Sequence, residues 1–159
     1  MKKNISEKTP KKIKDKNQVN KKKQKAKKEI KKFYYSVGRR KSAIAKAKLV
    51  VEKGEIMVNN KTLETYFPGS IDKLYYTEPF RTTNMINRWS GEIKVIGGGH
   101  KSQLAAVILS ISRCLLEYDQ DKFRPILRKK GFLTRDPRVK ERKKPGLMGA
   151  RKKKQSPKR

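Results

Sequence analysis

The stretch from Leu104 to Tyr118 constrains the fold more than any other part of the chain. Leu104, Ile108, Ile111, Leu115 and Tyr118 recur at the spacing of one helical stripe. Ala105, Leu109, Ser112 and Leu116 form a second stripe beside it, and Gln103, Ala106, Ser110, Arg113 and Glu117 make a wetter third. A helix this apolar has to lie on a sheet, with only a narrow strip facing water. Burying six or so large side chains contributes roughly 10–20 kcal/mol in gross terms. Ordering costs ~1–2 kcal/mol per residue, so the helix needs the rest of a domain as its partner. Just before it, the strand-like Glu92–Ile96 ends at Gly97-Gly98-Gly99. Three glycines permit a sharp strand-to-helix turn and close approach of another backbone or a phosphate. His100, Lys101 and the free N–H groups of the helix start face that approach.

The chain has 159 residues, which makes one domain the default. Its formal charge is +31, from 45 Lys+Arg against 14 Asp+Glu. The excess sits at the ends: residues 1–32 carry +12, residues 128–159 carry +13, and the longer middle only +6. Such a chain repels itself unless polyanions neutralise it, and nucleic acid is the leading polyanion. An anionic membrane is the competitor, but neither end shows the apolar face of an amphipathic anchor. No apolar run is long enough to span a bilayer, and the first 30 residues lack the apolar core of a signal peptide. A single cysteine excludes an internal disulfide framework.

Residues 1–32 are Lys-rich, and Ile5, Ile13, Val19 and Ile30 are too sparse for a core, so this extension is expected to be disordered. A solvated tail, an RNA-associating tail and a targeting peptide all remain open for it. Phe33–Val37 reads as a first strand, followed by Gly38-Arg39-Arg40-Lys41, and Ser42–Val51 as a longer second strand with Ala43, Ala45, Ala47, Leu49 and Val51 on one face. Glu52-Lys53-Gly54-Glu55 reads as a hairpin turn that returns Glu55–Asn59 as the partner of the second strand. Thr62 is placed to cap a short helix from Leu63 to Phe67, stopped by Pro68-Gly69. Ser70 can cap a helical turn through Ile71, Leu74 and Tyr75, with Pro79 opening a separate second helix. The long helix ends near Tyr118-Asp119, and Phe123–Lys130 reads as a last helix with Pro125 at its start. This order, β-β-β-α-β-α, predicts a two-layer α/β (α+β) sandwich with a small, mainly antiparallel sheet. The globular part spans residues 33–133. From Thr134 to Arg159 the breakers Asp136-Pro137, Pro145-Gly146 and Ser156-Pro157 predict an extended basic tail, held by its partner rather than by the domain.

The inventory for catalysis is poor. His100 is the only histidine; a base or metal ligand is one reading, a polar contact near a helix start the other. Cys114 reads as a buried structural thiol. The carboxylates form no recognisable pair. Gly97-Gly98-Gly99 is no P-loop, since the Gly-Lys-Ser/Thr ending is missing. It serves a tight turn for packing or backbone approach to a phosphate. No catalytic residue, metal site or cofactor is expected. Arg39-Arg40-Lys41 is either a solvated loop or a bidentate phosphate contact, which clustered arginine favours.

Four features converge on one family: Gly38-Arg39-Arg40-Lys41-Ser42-Ala43-Ile44-Ala45; Gly97-Gly98-Gly99-His100-Lys101-Ser102-Gln103-Leu104-Ala105; Leu133-Thr134-Arg135-Asp136-Pro137-Arg138 followed by Glu141-Arg142-Lys143-Lys144-Pro145-Gly146; and a Lys158-Arg159 terminus. Together they resemble small-subunit ribosomal protein number nine, of the universal family in its bacterial or organellar form, over residues 33–159. The resemblance implies the two-layer fold of the second domain of small-subunit ribosomal protein number five, with one left-handed βαβ crossover against the usual rule. It also implies a structural, non-enzymatic role in translation. The protein would bind ribosomal RNA in the head of the small subunit, beside neighbouring ribosomal proteins. The tail would reach the transfer RNA of the peptidyl site.

On this reading the ribosomal-RNA contacts are Arg39, Arg40, Lys41 and Lys101 on the body, and Arg128, Lys129, Lys130, Arg135, Arg138, Lys140, Arg142, Lys143, Lys144, Arg151, Lys152, Lys153 and Lys154 towards the end. Lys158 and Arg159 would contact transfer RNA. The expected location is the ribosome, in a bacterial cytoplasm or in a plastid or other organelle. Two rivals are a free nucleoid-type DNA binder, which the charge alone permits, and a kinase-like enzyme, which would need a nucleotide-binding glycine loop.

Overall fold

The structure is a computed structural model that describes residues 32–157; the expected disorder of residues 1–31 and the terminal Lys158 and Arg159 lie outside the described residues. Two eight-residue strands open the fold, β1 (Phe33–Arg40) and β2 (Ala43–Val50), paired antiparallel from Phe33 opposite Val50 to Arg40 opposite Ala43. The connection is only Lys41-Ser42, with Lys41 at φ 51°. The first strand therefore runs three residues further than the sequence suggests. Gly38-Arg39-Arg40 belongs to the sheet rather than to a loop, because the pairing with β2 continues as far as the turn allows.

β3 (Ile56–Val58) and β4 (Lys61–Thr62) follow, then the short helix α1 (Leu63–Tyr66), whose N-cap Thr62 accepts from the Thr65 N–H as expected. Helix α2 (Ser70–Thr82), strand β5 (Ser90–Ile96), helix α3 (His100–Tyr118) and helix α4 (Gln120–Lys129) complete the order. The sheet runs β1-β2-β5-β3-β4, with β3 and β5 parallel and every other pair antiparallel. The expected hairpin between β2 and β3 is therefore absent. β5 lies between them because Ile93 and Val95 are its buried side chains and take a central place in the sheet. The parallel pair needs a crossover, which α1 and α2 provide.

Two helix boundaries also differ from expectation. Pro79 lies inside a single continuous α2, and Pro125 is the sixth residue of α4, whose true N-cap is Asp119. An interior proline forfeits one hydrogen bond to the carbonyl four residues earlier. Those carbonyls belong to Tyr75 and Asp121, both exposed residues within reach of water. Pro79 itself is fully buried, so its ring serves the core.

Helix α3 lies across β1 and β2. Leu104, Ile111 and Leu115 are buried, as the periodicity requires, and so are Val107 and Cys114. Ala106 and Ser110, placed on the wetter stripe by pattern, are fully buried. The cause is Gly38: a Cβ there would stand 1.9 Å from the Ala106 carbonyl oxygen and 2.7 Å from the Ser110 nitrogen. With no side chain at 38, the strand backbone lies directly on the helix backbone, and small residues on α3 permit the approach. α3 also satisfies the free edge of β1. The Tyr35 N–H donates to Glu117 Oε2 at 3.1 Å, and Arg113 Nη1 donates to the Val37 carbonyl at 2.5 Å. Backbone groups taken in this way are withheld from pairing with another strand. At the far end of β1, Tyr34, Trp89 and Tyr118 close a triangle of edge-to-face rings with centroids 5.5–5.6 Å apart. No helix among the described residues is long and apolar enough to cross a membrane.

Candidate nucleic-acid interface

Three sequence blocks far apart in the chain meet at one end of the molecule. The first is the β1–β2 turn at Lys41-Ser42. The second is the β5–α3 junction, where Gly97 (φ 73°) and Gly98 (φ 68°) press against it. A Cβ at Gly97 would sit 2.6 Å from the Ser42 carbonyl oxygen, and one at Gly98 would sit 2.9 Å from the Ala43 Cβ. These glycines therefore serve packing as well as a left-handed turn. Gln103 Nε2 donates to the Gly97 carbonyl at 3.1 Å, and the Tyr66 hydroxyl donates to Gln103 Oε1 at 3.0 Å. Lys101, the second residue of α3, stays exposed beside the turn.

The third block is the start of the tail. Arg40 Nη1 donates to the carbonyls of Asp136 (3.2 Å) and Arg138 (2.9 Å), while its Nη2 meets Asp136 Oδ2 at 2.7 Å. Asp136 also accepts from the Arg138 backbone N–H at 2.9 Å and from the Arg138 guanidinium through both oxygens. The Arg138 side chain, its backbone N–H and then the charge of Arg40 hold the Asp136 carboxyl well below the usual carboxylate range. Arg40 is thus turned toward the chain itself, while Arg39, one residue earlier on an alternating strand, faces solvent. Sequence reasoning treated the two as equivalent and gave Asp136 no role beyond a chain breaker within the motif. Strand parity and a lone acid two residues before an arginine were the available signals.

No helix or strand follows α4 among the described residues, in agreement with the sequence. The expectation that only a partner holds the tail requires correction, since the chain holds it at two points. One is the Arg40 latch. The other is a bidentate pair between Arg151 and Glu141 (3.0 and 2.6 Å), which folds the tail back around Pro145-Gly146, with Gly146 at φ 77°. Within it the Leu147 N–H donates to the Lys144 carbonyl (3.2 Å) and the Met148 N–H to the Lys152 carbonyl (2.9 Å). The fold-back leaves Arg142, Lys143, Lys144, Lys152, Lys153 and Lys154 exposed, as are Arg135 and Lys140.

The remaining candidates are mixed. Arg128 and Lys129 are exposed in the last turn of α4, where cations also complement the helix dipole. Lys130 pairs with Glu78 of α2 at 3.6 Å. His100 lies 3.5 Å from Asp72 and edge-on to Phe67 (centroids 5.1 Å), which is the polar contact its isolation suggested. Among the described residues no group of three or more His, Cys, Asp or Glu is placed to hold a metal ion. Cys114 is fully buried, 3.1 Å from the Ser36 hydroxyl, and burial pushes its thiol up to about 11.

The residues that build this end of the molecule lie within the stretch that matches known proteins. The family model described as ribosomal protein S9/S16 matches residues 38–159. A curated relative, the small ribosomal subunit protein uS9 of Leifsonia xyli subsp. xyli (strain CTCB07), is 44% identical over 124 residues, covering 78% of this chain and 74% of the relative. The resemblance is thereby established, and the chain belongs to the ribosomal protein S9/S16 family.

Proposed function

We propose that the protein is a structural constituent of the small ribosomal subunit and binds ribosomal RNA in the subunit head, in contact with neighbouring ribosomal proteins. Members of a ribosomal-protein family act as structural proteins rather than enzymes. The observation that carries the RNA-binding reading is the convergence of the three blocks. It sets exposed Arg39, Lys41 and Lys101 beside the point where a basic tail leaves the body. In this assignment residues 33–133 are the docking body, residues 134–159 the tail that neutralises phosphates between RNA helices, and residues 1–32 an accessory basic extension. Arg40 positions the tail; Arg39, Lys41, Lys101 and the exposed tail cations meet phosphate. The tail tip, Lys158-Arg159, contacts the transfer RNA in the peptidyl site, in a bacterial cytoplasm or an organelle.

Gradient sedimentation of an extract containing the tagged chain tests this. The expected result is co-migration with the small-subunit peak. Migration as free protein or with chromosomal DNA would favour a nucleoid-type binder and refute the assignment.

A further inference from the structure

The face of the sheet turned away from α3 meets the convergence described above only at Arg39. Cross-strand register sets Tyr35 beside Lys48, Val37 beside Lys46, and Lys46 beside Lys94. Phe33 is 52% and Tyr35 49% exposed. Lys48 Nζ lies 4.4 Å over the centre of the Phe33 ring. Glu92 lies opposite Lys48 and 3.8 Å from Lys94, and Glu55 lines the same shallow hollow as Lys48 and Glu92.

In the isolated protein this arrangement is unfavourable. Lys46 and Lys94 are directly opposed like charges, and directly opposed like charges destabilise a sheet. Two half-exposed aromatic side chains, Phe33 and Tyr35, lie next to them. An anion with flat apolar faces resolves both problems. Phosphates between the lysines relieve the repulsion, and bases stack on the ring. The backbone beneath Tyr35 is fixed, because its N–H is bonded to Glu117 of α3. The platform is therefore rigid before any ligand arrives.

We infer that the open sheet face is a second RNA-binding surface, specific for unpaired nucleotides, with Tyr35 stacking a base and Lys46, Lys48 and Lys94 holding the flanking phosphates. This rests on the ribosomal-RNA reading above and extends it to a surface outside the converging motifs. The occupant is RNA rather than protein because three lysines stand together at the centre of the face against Glu92, with Glu55 and Glu117 at its margins, and the apolar side chains are interspersed among charges rather than contiguous.

The test is binding of the full chain to an unstructured RNA oligonucleotide and to an RNA duplex of equal length, across a salt series. Tyr35→Ala is expected to weaken binding to unpaired RNA on the order of 10-fold and to leave duplex binding unchanged, since paired bases offer no free face. Lys46→Gln with Lys94→Gln is expected to lower the double-log salt slope for unpaired RNA by about 1.4. Both variants should melt within a few degrees of the parent, because the positions are exposed. Equal losses on both RNAs, or none, would overturn the inference while leaving the tail-based reading intact. Wild-type chain that binds neither RNA would sink the underlying reading as well. An amine-reactive cross-link from Lys46 or Lys94 to another protein in intact small subunits would overturn it in favour of a protein partner.

Discussion

Gly38→Ala probes the closest contact in the fold. The added Cβ would lie 1.9 Å from the Ala106 carbonyl oxygen, whereas ordinary contact begins at 3.4 Å. Strand and helix would therefore have to separate by about 1.5 Å, the difference of those two distances, at a place where both partners are backbone and no rotamer change can help. Overpacking a core costs typically ~1–3 kcal/mol, and a clash between two backbones belongs at or beyond the top of that range. Separation would also stretch the bonds that α3 makes to the β1 edge from Arg113 and Glu117. A loss of ~3 kcal/mol lowers the melting temperature of a domain this size by at least about 12 °C. Against a typical total of ~5–15 kcal/mol, it leaves little reserve. Thermal unfolding of the full chain followed by circular dichroism measures this directly. Gly99→Ser is the control: Gly99 caps α3 with extended backbone and no neighbour within 4 Å of a new Cβ. It should hold or raise stability by a few tenths of a kcal/mol, roughly. A Gly38→Ala protein melting within ~2 °C of the parent would refute the claim that backbone contact sets the β1–α3 spacing.

Three further outcomes follow from named contacts. Asp136→Asn removes the charge that Arg40 and Arg138 share, and should speed tryptic cleavage after Arg135 and Arg138 without lowering the melting temperature of the body; an unchanged digestion rate would show that the latch does not hold the tail. Burial lifts the Cys114 thiol to about 11 from its ordinary value of 9.0. The unfolded chain therefore loses this proton first, and stability should fall by about 2–3 kcal/mol as pH rises through that interval. Cys114→Ala should lack this component, and parallel pH–stability profiles for the two proteins would contradict it. Deleting Lys158 and Arg159 should weaken transfer-RNA binding to the peptidyl site and loosen reading-frame maintenance while the subunit still incorporates the protein; unchanged affinity and frame would show that the tip has no part in it.

Helix α3 was legible in the sequence because its burial repeats at the helical period and its length exceeds any strand. The β-strands were legible as elements but not as neighbours. Gly54 signals a change of direction after β2, yet nothing local shows that β5, some forty residues after β2, will take the place beside it. That choice depends on where Ile93 and Val95 can be buried, which is a property of the assembled sheet. The two prolines misled for a related reason. Their preference for a first helical turn is a local bias, and in both helices it is overridden where the freed carbonyl can reach water. At the interface, the basic blocks could be read from the sequence but their division of labour could not. Only once β1 is known to continue through Arg40 does parity send Arg39 outward and Arg40 toward the tail.

The Arg40 latch changes what the tail's charge can do. A tail joined to the body by a slack linker would search a wide volume, and its contribution to binding would fall with linker length. Here Phe132 and Leu133 pack against the core, and the chain is fixed again at Asp136 and Arg138, leaving almost no slack. On the proposed RNA-binding reading, body and tail therefore present one preorganised surface, with part of the ordering cost already met in the free protein. The arrangement also explains why an acid persists within a run that otherwise favours cations. Asp136 neutralises Arg40, a cation at only 16% side-chain exposure, which without it would face the charges of the tail. The Glu141–Arg151 pair acts in the same way further along, closing a loop whose remaining lysines and arginines point outward. The two acids of the last 32 residues thus fix the geometry of the tail, and the 15 bases supply the attraction.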